Sequence, residues 1–174
     1  MKISIIGYSG SGKSTLAGKL ADRYKTDVLY LDAVHWLPGW TERSEEEKND
    51  IIEDFLDSHD SWVIDGNYTK QWYERRMEES DQIVIMDFNR FRCLWRVIQR
   101  YRKYRGDTRP DMGIDCTEKL DWEFVKWVLW DGRKKRTRVR LKDIESRYPE
   151  KTVRLRSPRQ VRQFEQQNGL RKGP

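Results

Sequence analysis

The segment from Gly7 to Ser14, GYSGSGKS, has the residue types and spacing most specific for chemistry. It fits the pattern G-x-x-x-x-G-K-[ST], in which glycines let backbone N–H groups converge on phosphate oxygens. Lys13 adds a charge for the terminal phosphates, and Ser14 adds a hydroxyl for Mg²⁺. The pattern predicts a site for ATP phosphates and Mg²⁺ whose residues are Gly7, Ser9, Gly10, Ser11, Gly12, Lys13, Ser14 and Thr15.

Acidic residues end several of the predicted strands. Asp65 ends the apolar run WVID, and Asp87 follows QIVIM. An acid at the end of a parallel strand lies beside the phosphate-binding loop, where it can order Mg²⁺ through water ligands. We assign this metal role to Asp65 together with Ser14. Asp87 remains an alternative for the role, and a plain helix-capping aspartate is a further interpretation of it.

The segment LDAVHWLPGW gathers an acid, a histidine and two tryptophans within nine residues. Asp32 could accept a hydroxyl proton during attack on the γ-phosphate, while His35 and Trp36 would hydrogen-bond to or stack on the acceptor. Such a cluster favours a small-molecule acceptor. Alternatively, the tryptophans belong to the core and His35 is a satisfied turn residue.

Positive charge is concentrated in the second half of the chain. The net charge is −8 over residues 1–88 and +14 over residues 89–174. Such an imbalance indicates an anionic partner, either polyphosphate or nucleic acid, or else a solvated basic face.

Arginines recur at helical spacing in the predicted helix 89–105. Arg96 and Arg100 lie on one face of it, ahead of residues 106–117, whose two glycines, proline and lack of an apolar period predict a mobile connector between helices. Because phosphoryl transfer spreads negative charge over the migrating group, arginines beside a mobile segment can close over that group and stabilise it. We expect Arg96 and Arg100 to act in this way and Arg109 to join them on closure. The basic run from Arg133 to Arg138 offers further cations, or else forms a solvated helix face.

Strand and helix patterns alternate along the chain. Strands are predicted at 2–7, 27–32, 62–64, 82–86 and 152–155; helices are predicted at 14–24, after the Ser44/Glu47 capping box, at 89–105, within 118–144, and after Ser157. This alternation predicts an α/β three-layer sandwich with a five-stranded parallel sheet and its ligand at the carboxyl ends of the strands. We expect one domain, 1–174, with a short helical lid at about 100–120.

Several classes of protein are disfavoured by composition. No apolar run reaches the roughly 18 residues that span a bilayer, so a cytoplasmic protein without membrane contact is expected. Cys93 and Cys116 have no metal-ligand spacing.

Five blocks resemble one known family in their order along the chain. They are GYSGSGKSTLA, LDAVHWLPGW, WVIDGNY, RPDMG and EKLDWEFVKWV. From Met1 to about Gln167 the chain resembles FlaR-related proteins, labelled DNA topology modulation proteins, in the adenylate kinase-like branch of P-loop kinases. The resemblance implies a P-loop NTPase fold like that of nucleoside monophosphate kinases.

The resemblance also implies roles for individual residues. The loop at Arg156 and Pro158 is similar to the adenine-contacting turn, and Asp65-Gly66 is similar to the step that orders the metal in nucleoside monophosphate kinases. Asn67, Tyr68 and Thr69 follow that step in place of the phenylalanine, proline and arginine of those kinases. The departure argues against a nucleoside monophosphate acceptor. The acceptor site is predicted to contain Asp32, His35, Trp36, Asp65, Gly66, Asn67, Tyr68 and Arg109.

The leading hypothesis is ATP-dependent phosphoryl transfer to a small molecule, as in nucleotide, shikimate and gluconate kinases. Lys13, Arg96 and Arg100 would stabilise negative charge on the migrating phosphoryl group, and Asp32 would interact with the hydroxyl of the acceptor. One alternative is a nucleotide-gated DNA-binding or DNA-topology regulatory protein, and another is an ATPase that uses water. The identity of the acceptor, the preference for ATP over GTP and the oligomeric state are left open.

Overall fold

The computed structural model describes residues 1–109, 111–113 and 115–170. In chain order its elements are β1 (Lys2–Gly7), α1 (Lys13–Tyr24), β2 (Asp27–Tyr30), α2 (Leu31–His35), β3 (Trp36–Leu37), β4 (Thr41–Glu42), α3 (Glu45–Ser58), β5 (Trp62–Asp65), α4 (Tyr73–Glu79), β6 (Gln82–Met86), α5 (Arg90–Tyr104), α6 (Trp122–Leu129), α7 (Lys135–Arg147), β7 (Thr152–Leu155) and α8 (Pro158–Gln167). Single 3₁₀ turns occur at Pro38–Trp40, Asp131–Arg133 and Pro149–Lys151.

Five parallel strands form the central sheet in the order β2-β5-β1-β6-β7. β1 is apolar and lies between β5 and β6, where its residues from Ile3 to Gly7 are buried. Helices flank the sheet, so the predicted α/β architecture with a five-stranded parallel sheet is confirmed. The end of β1 and the end of β5 therefore reach the same edge of the sheet, which brings Gly7 close to Asp65.

The second strand is shorter than its apolar run predicts. β2 ends at Tyr30, so the prediction that Asp32 ends a strand is wrong: Asp32 lies in α2. Leu31 and Val34 are buried against Ile52 of α3 and its neighbours, and this packing favours a helical turn over a longer strand.

The capping box ahead of α3 is confirmed. The Ser44 hydroxyl accepts from the Glu47 amide at 3.2 Å, and the Glu47 carboxylate accepts from the Ser44 amide at 3.4 Å. In contrast, α4 was not predicted. It has only seven residues, and a buried arginine, Arg76, occupies one of its inward positions.

The segment predicted as a short helical lid is helical only as far as Tyr104. Within the described parts of 105–121 there is no helix, and an isolated antiparallel bridge joins Thr108 to Thr117. The reason is local, because Gly106 and Gly113 weaken a helix and no apolar period supports one. We call residues 105–121 the lid segment.

Among the helices of the described residues, none combines the length and the apolar character needed to cross a membrane.

Candidate functional site

Residues 7–14, the glycine-rich loop, are held between the end of β6 and the first half of α5. The φ angles of Gly7, Gly10 and Gly12 are 136°, 74° and 97°, a region that other residues rarely adopt. A Cβ atom on Gly10 would lie 2.5 Å from the Cys93 carbonyl oxygen, and one on Gly7 would overlap the Met86 carbonyl. The glycines are therefore required by both conformation and space.

The start of α1 leaves backbone donors available for an anion. The first helical bond is donated by the Leu16 amide to the Gly12 carbonyl at 3.1 Å, and Gly12 caps the helix without a side chain. The amides of Lys13, Ser14 and Thr15 have no acceptor within their own helix. Together with the helix dipole they form the kind of site that binds phosphate.

Asn67 fastens the beginning of the loop. Its Oδ1 accepts from the Gly7 amide at 2.8 Å, and its Nδ2 donates to the Gly7 carbonyl. Both ends of the amide are thus engaged by the backbone of one residue. The predicted role of Asn67 in binding the acceptor remains a prediction, but the structure gives this side chain a role in loop position.

Asp65 lies beside the loop in a buried position. It is 6% exposed, and its Oδ1 has no hydrogen-bond partner among the described residues. Burial raises the pKa of Asp65 to about 6, while Lys13 and the Ser14 hydroxyl act in the opposite direction. An unpartnered buried carboxylate oxygen next to a hydroxyl suits a hard cation, so the residues present fit Mg²⁺.

Asp87, the alternative to Asp65, is already engaged by cations. Its Oδ2 lies 3.4 Å from Nη1 of Arg154 and 3.6 Å from Nε of Arg156. The geometry therefore favours Asp65 over Asp87 for the metal. Arg156 is 63% exposed at its side chain and reaches toward Asp87.

Asp32 and Tyr68, both predicted to bind the acceptor, contact each other directly. The Tyr68 hydroxyl donates to Oδ1 of Asp32 at 2.8 Å. Burial raises the pKa of Tyr68, and the Asp32 carboxylate raises it further, so the phenol stays a donor. The His35 ring lies 4.7 Å from both the Tyr68 and the Trp36 rings. The predicted acceptor residues are thus brought together.

A buried lysine supports this cluster from behind. Lys48 is 1% exposed and lies 3.4 Å from Nδ1 of His35. Its ammonium is compensated by Glu42 at 2.9 Å and Glu45 at 2.5 Å. Burial lowers the pKa of His35, and Lys48 lowers it further. His35 is therefore a neutral, fixed ring at pH 7.

Arg96 lies directly against the glycine-rich loop. Its guanidinium occupies the space where a Cβ on Gly12 would stand, and it lies 5.9 Å from the Phe88 ring. Burial lowers the pKa of Arg96. No carboxylate lies within ion-pair distance of it in the described part of the chain. The structure thus places a cation against the loop, and the predicted role of Arg96 in closing over the migrating group remains a prediction.

Arg100 and Arg109 share one buried carboxylate. Arg100 lies 2.8 Å and Arg109 lies 2.6 Å from opposite oxygens of Glu118, which is 2% exposed at its side chain. Arg109 also lies 3.0 Å from Asp111. Burial lowers the pKa of Arg100, and Arg109 adds to this effect. The two predicted arginines are brought together, but Glu118 holds them, and it was not predicted.

A cleft of about 970 Å³ extends from Lys13 of the glycine-rich loop to the Asp32–Tyr68 pair and to Arg100 and Arg109. Of the predicted site residues, ten line it: Ser9, Lys13, Asp32, His35, Trp36, Gly66, Asn67, Tyr68, Arg100 and Arg109. The others do not line it: Gly7, Gly10, Ser11, Gly12, Ser14, Thr15, Asp65, Arg96, Arg156 and Pro158. Most of this second group belongs to the loop, its helix or the buried carboxylate beside it. Arg156 and Pro158 lie beyond β7, at the start of α8.

Arg133 also lines the cleft; it was predicted only as part of the basic run 133–138 and was not assigned to the site by itself. Its guanidinium lies 3.8 Å from the ring of Tyr8 in the glycine-rich loop. It also donates to the carbonyls of Phe88 and Val128 at 2.9 Å each. Its place in a run of basic residues gave no signal that it would stack on the loop.

Two proteins that resemble this chain carry no stated activity. No family model matches the sequence. The chain is 30% identical over 104 residues to "Uncharacterized protein YqaC" of Bacillus subtilis (strain 168), a match covering 57% of this chain and 58% of that protein. It is also similar to the crystal structure of an uncharacterized protein from Eubacterium ventriosum ATCC 27560, at a TM-score of 0.47 and 16% identity, covering 98% of this chain and 100% of that one.

Proposed function

We propose that the protein is a P-loop kinase of the adenylate kinase-like type, which transfers the γ-phosphate of ATP to a hydroxyl group of a small molecule. One observation carries the proposal: Lys13 of the glycine-rich loop and the Asp32–Tyr68 pair line the same cleft. A donor site and an acceptor site that share one cleft are the arrangement that phosphoryl transfer requires.

The donor end rests on backbone geometry and cations. The free amides at the start of α1 would surround the β- and γ-phosphates, and Lys13 would place its ammonium on them. Arg96 lies over the loop without an acidic partner among the described residues, so it is the arginine best placed to stabilise charge on the migrating group. Arg100 would serve the same purpose from the side of the lid segment.

Mg²⁺ would be held by Ser14 and Asp65, where it would neutralise charge on the phosphate oxygens. The fit rests on the unpartnered Oδ1 of Asp65.

At the acceptor end, Asp32 is the group that can take a proton. The acceptor oxygen would form its bond to the γ-phosphorus while the bond from phosphorus to the β–γ bridging oxygen breaks. ADP would leave with the electron pair, and the hydroxyl proton would pass to Asp32. The hydrogen bond from Tyr68 fixes the orientation of that carboxylate.

The test is transfer of labelled γ-phosphate from ATP to members of a metabolite pool. We expect a labelled product that Lys13→Ala abolishes, and that Asp32→Asn reduces by about 100-fold or more while nucleotide binding is kept. Asp60→Asn, at an exposed position far from the cleft residues, is the matched control. ATP hydrolysis that no metabolite and no Asp32 variant alters would contradict the kinase and support the ATPase.

A second candidate function is nucleotide-gated binding of DNA. The observation that favours it is a set of exposed aromatic rings on α5 and α6: Phe91, Trp95 and Trp122 are 70%, 56% and 72% exposed. Exposed rings in a strongly basic half of the chain suit stacked bases and phosphates. Submicromolar DNA binding that falls steeply with salt and depends on ATP would support it. Weak binding that is indifferent to ATP would exclude it.

A further inference from the structure

Two cations of the cleft lie outside the glycine-rich loop in the chain, and we call them the cationic region. Lys70, in the segment after β5, and Arg140, on α7, both line the cleft. Neither has a carboxylate within 4.0 Å among the described residues. In the proposed mechanism Lys13 binds the triphosphate, whereas Lys70 and Arg140 have no role.

Acids near this region are engaged by other cations: Glu45 lines the cleft but lies 2.5 Å from Lys48. Glu74 lies 2.7 Å and Asp143 lies 3.7 Å from the guanidinium of Arg147. Both carboxylates are paired with Arg147, and neither lies within 4.0 Å of Arg140. A cation that lines a cleft without a protein counter-ion is available for an anionic ligand.

Single donor atoms of Arg140 and of two residues near it have no acceptor. The guanidinium carbons of Arg140 and Arg76 lie 5.8 Å and 5.5 Å from the ring of Tyr73. Nε of Arg140, Nη1 of Arg76 and the Tyr73 hydroxyl have no hydrogen-bond partner among the described residues. Arg76 is 0% exposed, and burial lowers its pKa to about 10, so it is still a cation at pH 7. Of these three residues Arg140 lines the cleft and Arg76 and Tyr73 do not, so the guanidinium of Arg140 is the group that can meet a ligand there.

The same cluster is tied to the acceptor side of the cleft. Arg76 donates to the carbonyls of Tyr68 and Gln71, which fixes the segment 68–71. Tyr68 in turn holds Asp32, and Lys70 lies in the middle of the segment. The cationic region and the predicted proton acceptor are thus built on one short, fixed stretch of chain.

From this geometry we infer that Arg140 and Lys70 bind an anionic group of the acceptor, a carboxylate or a phosphate monoester. The acceptor is then a hydroxylated acid or the phosphate of a hydroxylated compound. The inference rests on the proposed kinase function and deepens it by giving the chemical class of the acceptor. Charge-assisted hydrogen bonds to a planar guanidinium would supply both the affinity and the orientation.

The test measures small-anion binding with the glycine-rich loop already filled. Protein saturated with magnesium and a nonhydrolysable ATP analogue is titrated calorimetrically with inorganic phosphate, with acetate and with glycerol as a neutral control. We expect saturable binding of at least one anion and none of glycerol. Phosphate binding indicates a phosphate monoester acceptor, and acetate binding indicates a carboxylate.

The variants decide whether the named residues form the site. Arg140→Gln should weaken the binding of that anion by about tenfold or more, which is the loss expected for a charged hydrogen bond. Lys142→Gln removes one positive charge from an exposed position on the same helix and should leave the binding unchanged. If Arg140→Gln fails to fold, Lys70→Gln serves instead, since Lys70 is exposed.

Two results would overturn the inference: neither anion binds the wild-type protein, or the anion binds the Arg140 and Lys142 variants equally well. Failure of the ATP analogue to bind the wild-type protein is a different result, because it would contradict the proposed kinase. In that case the anions are titrated without nucleotide, and the comparison of the Arg140 and Lys142 variants still decides whether the cationic region binds them.

Discussion

At the scale of single residues, Gly12 is the position at which shape matters most. Its φ of 97° excludes ordinary side chains, and the guanidinium of Arg96 fills the place where a Cβ would stand. The close approach keeps a cation directly over the loop. Gly39 also has a positive φ, 72°, but nothing lies within 4 Å of its Cβ position. A side chain at Gly39 therefore introduces backbone strain alone, whereas a side chain at Gly12 also clashes with Arg96.

Gly12→Ala should weaken the binding of magnesium and ATP by about tenfold or more, because it displaces Arg96 and distorts the start of α1. Gly39→Ala should lower the free energy of unfolding by about 1 kcal/mol through strain alone and leave nucleotide binding unchanged. Calorimetric titration and urea denaturation measure the two effects. Equal losses of nucleotide affinity in both variants would contradict this account.

His35 predicts a pH dependence of stability. Its pKa in the folded protein is lowered below the ordinary value of 6.5 by burial and by Lys48, although Glu42, Asp32 and Glu45 oppose the shift. As the pH falls below about 6.5, the unfolded chain takes up a proton at this site more readily than the folded chain does. The contribution of His35 to stability is therefore present above pH 6.5 and is lost as the pH falls.

His35→Gln should reduce the loss of unfolding free energy between pH 7.5 and about pH 5.5. Urea denaturation across this range measures it. His59→Gln is the control, because His59 packs on Phe55 and leaves the His35 cluster intact. Parallel pH profiles for the wild type and the His35 variant would refute the prediction.

At the scale of elements, the capping box sets where α3 begins and therefore where its side chains meet the predicted acceptor residues. Ser44 and Glu47 satisfy each other's amides at the start of the helix. The same helix places Lys48 against His35, and Ile52 and Leu56 under α2. The start of α3 is therefore also a support for the acceptor residues.

Ser44→Ala should lower the free energy of unfolding by about 1 kcal/mol, because one N–H group of the first turn loses its acceptor. Ser58→Ala is the control, because it removes a hydroxyl at the other end of α3 and leaves the capping box intact. Chemical denaturation measures both. A Ser44 variant as stable as the wild type would show that the cap contributes nothing here.

At the scale of the whole molecule, the lid segment lies against residues 37–40, which follow the predicted acceptor residues Asp32, His35 and Trp36. Nε1 of Trp40 donates to the Thr117 carbonyl at 3.1 Å, and Sγ of Cys116 lies 3.4 Å from the Leu37 carbonyl. Glu118 adds the ion pairs to Arg100 and Arg109. A buried carboxylate that two arginines share holds the lid segment to α5 and the cleft.

Glu118→Gln should loosen this closure, because Arg100 loses its counter-ion and the buried Arg109 keeps only Asp111. We expect limited trypsin digestion within the lid segment to become about tenfold faster, which corresponds to a change of about 1.4 kcal/mol in the opening equilibrium. Glu150→Gln, an exposed acid outside the cleft, is the control. An unchanged cleavage rate for the Glu118 variant would mean that other contacts hold the segment.

Much of the architecture could be predicted from local patterns. The apolar runs at β1, β5, β6 and β7 are strands, and the sheet they form is parallel. The glycine-rich loop was predictable because its requirements, a positive φ and a free helix start, are encoded in consecutive residues. Asp32, His35 and Tyr68 were predicted to lie together, and they do.

Contacts between distant segments were not predictable in this way. Nothing in the local sequence of Glu118 or Arg133 indicates that one holds two arginines and the other stacks on Tyr8. The helical turn at Asp32 was missed because its apolar residues serve a strand and a short helix equally well. The sequence by itself determined the strands, the loop and the types of chemical group available. Only the tertiary structure decided which charges are neutralised and which remain open to a ligand, because ion pairing and burial depend on segments that meet only in the folded chain.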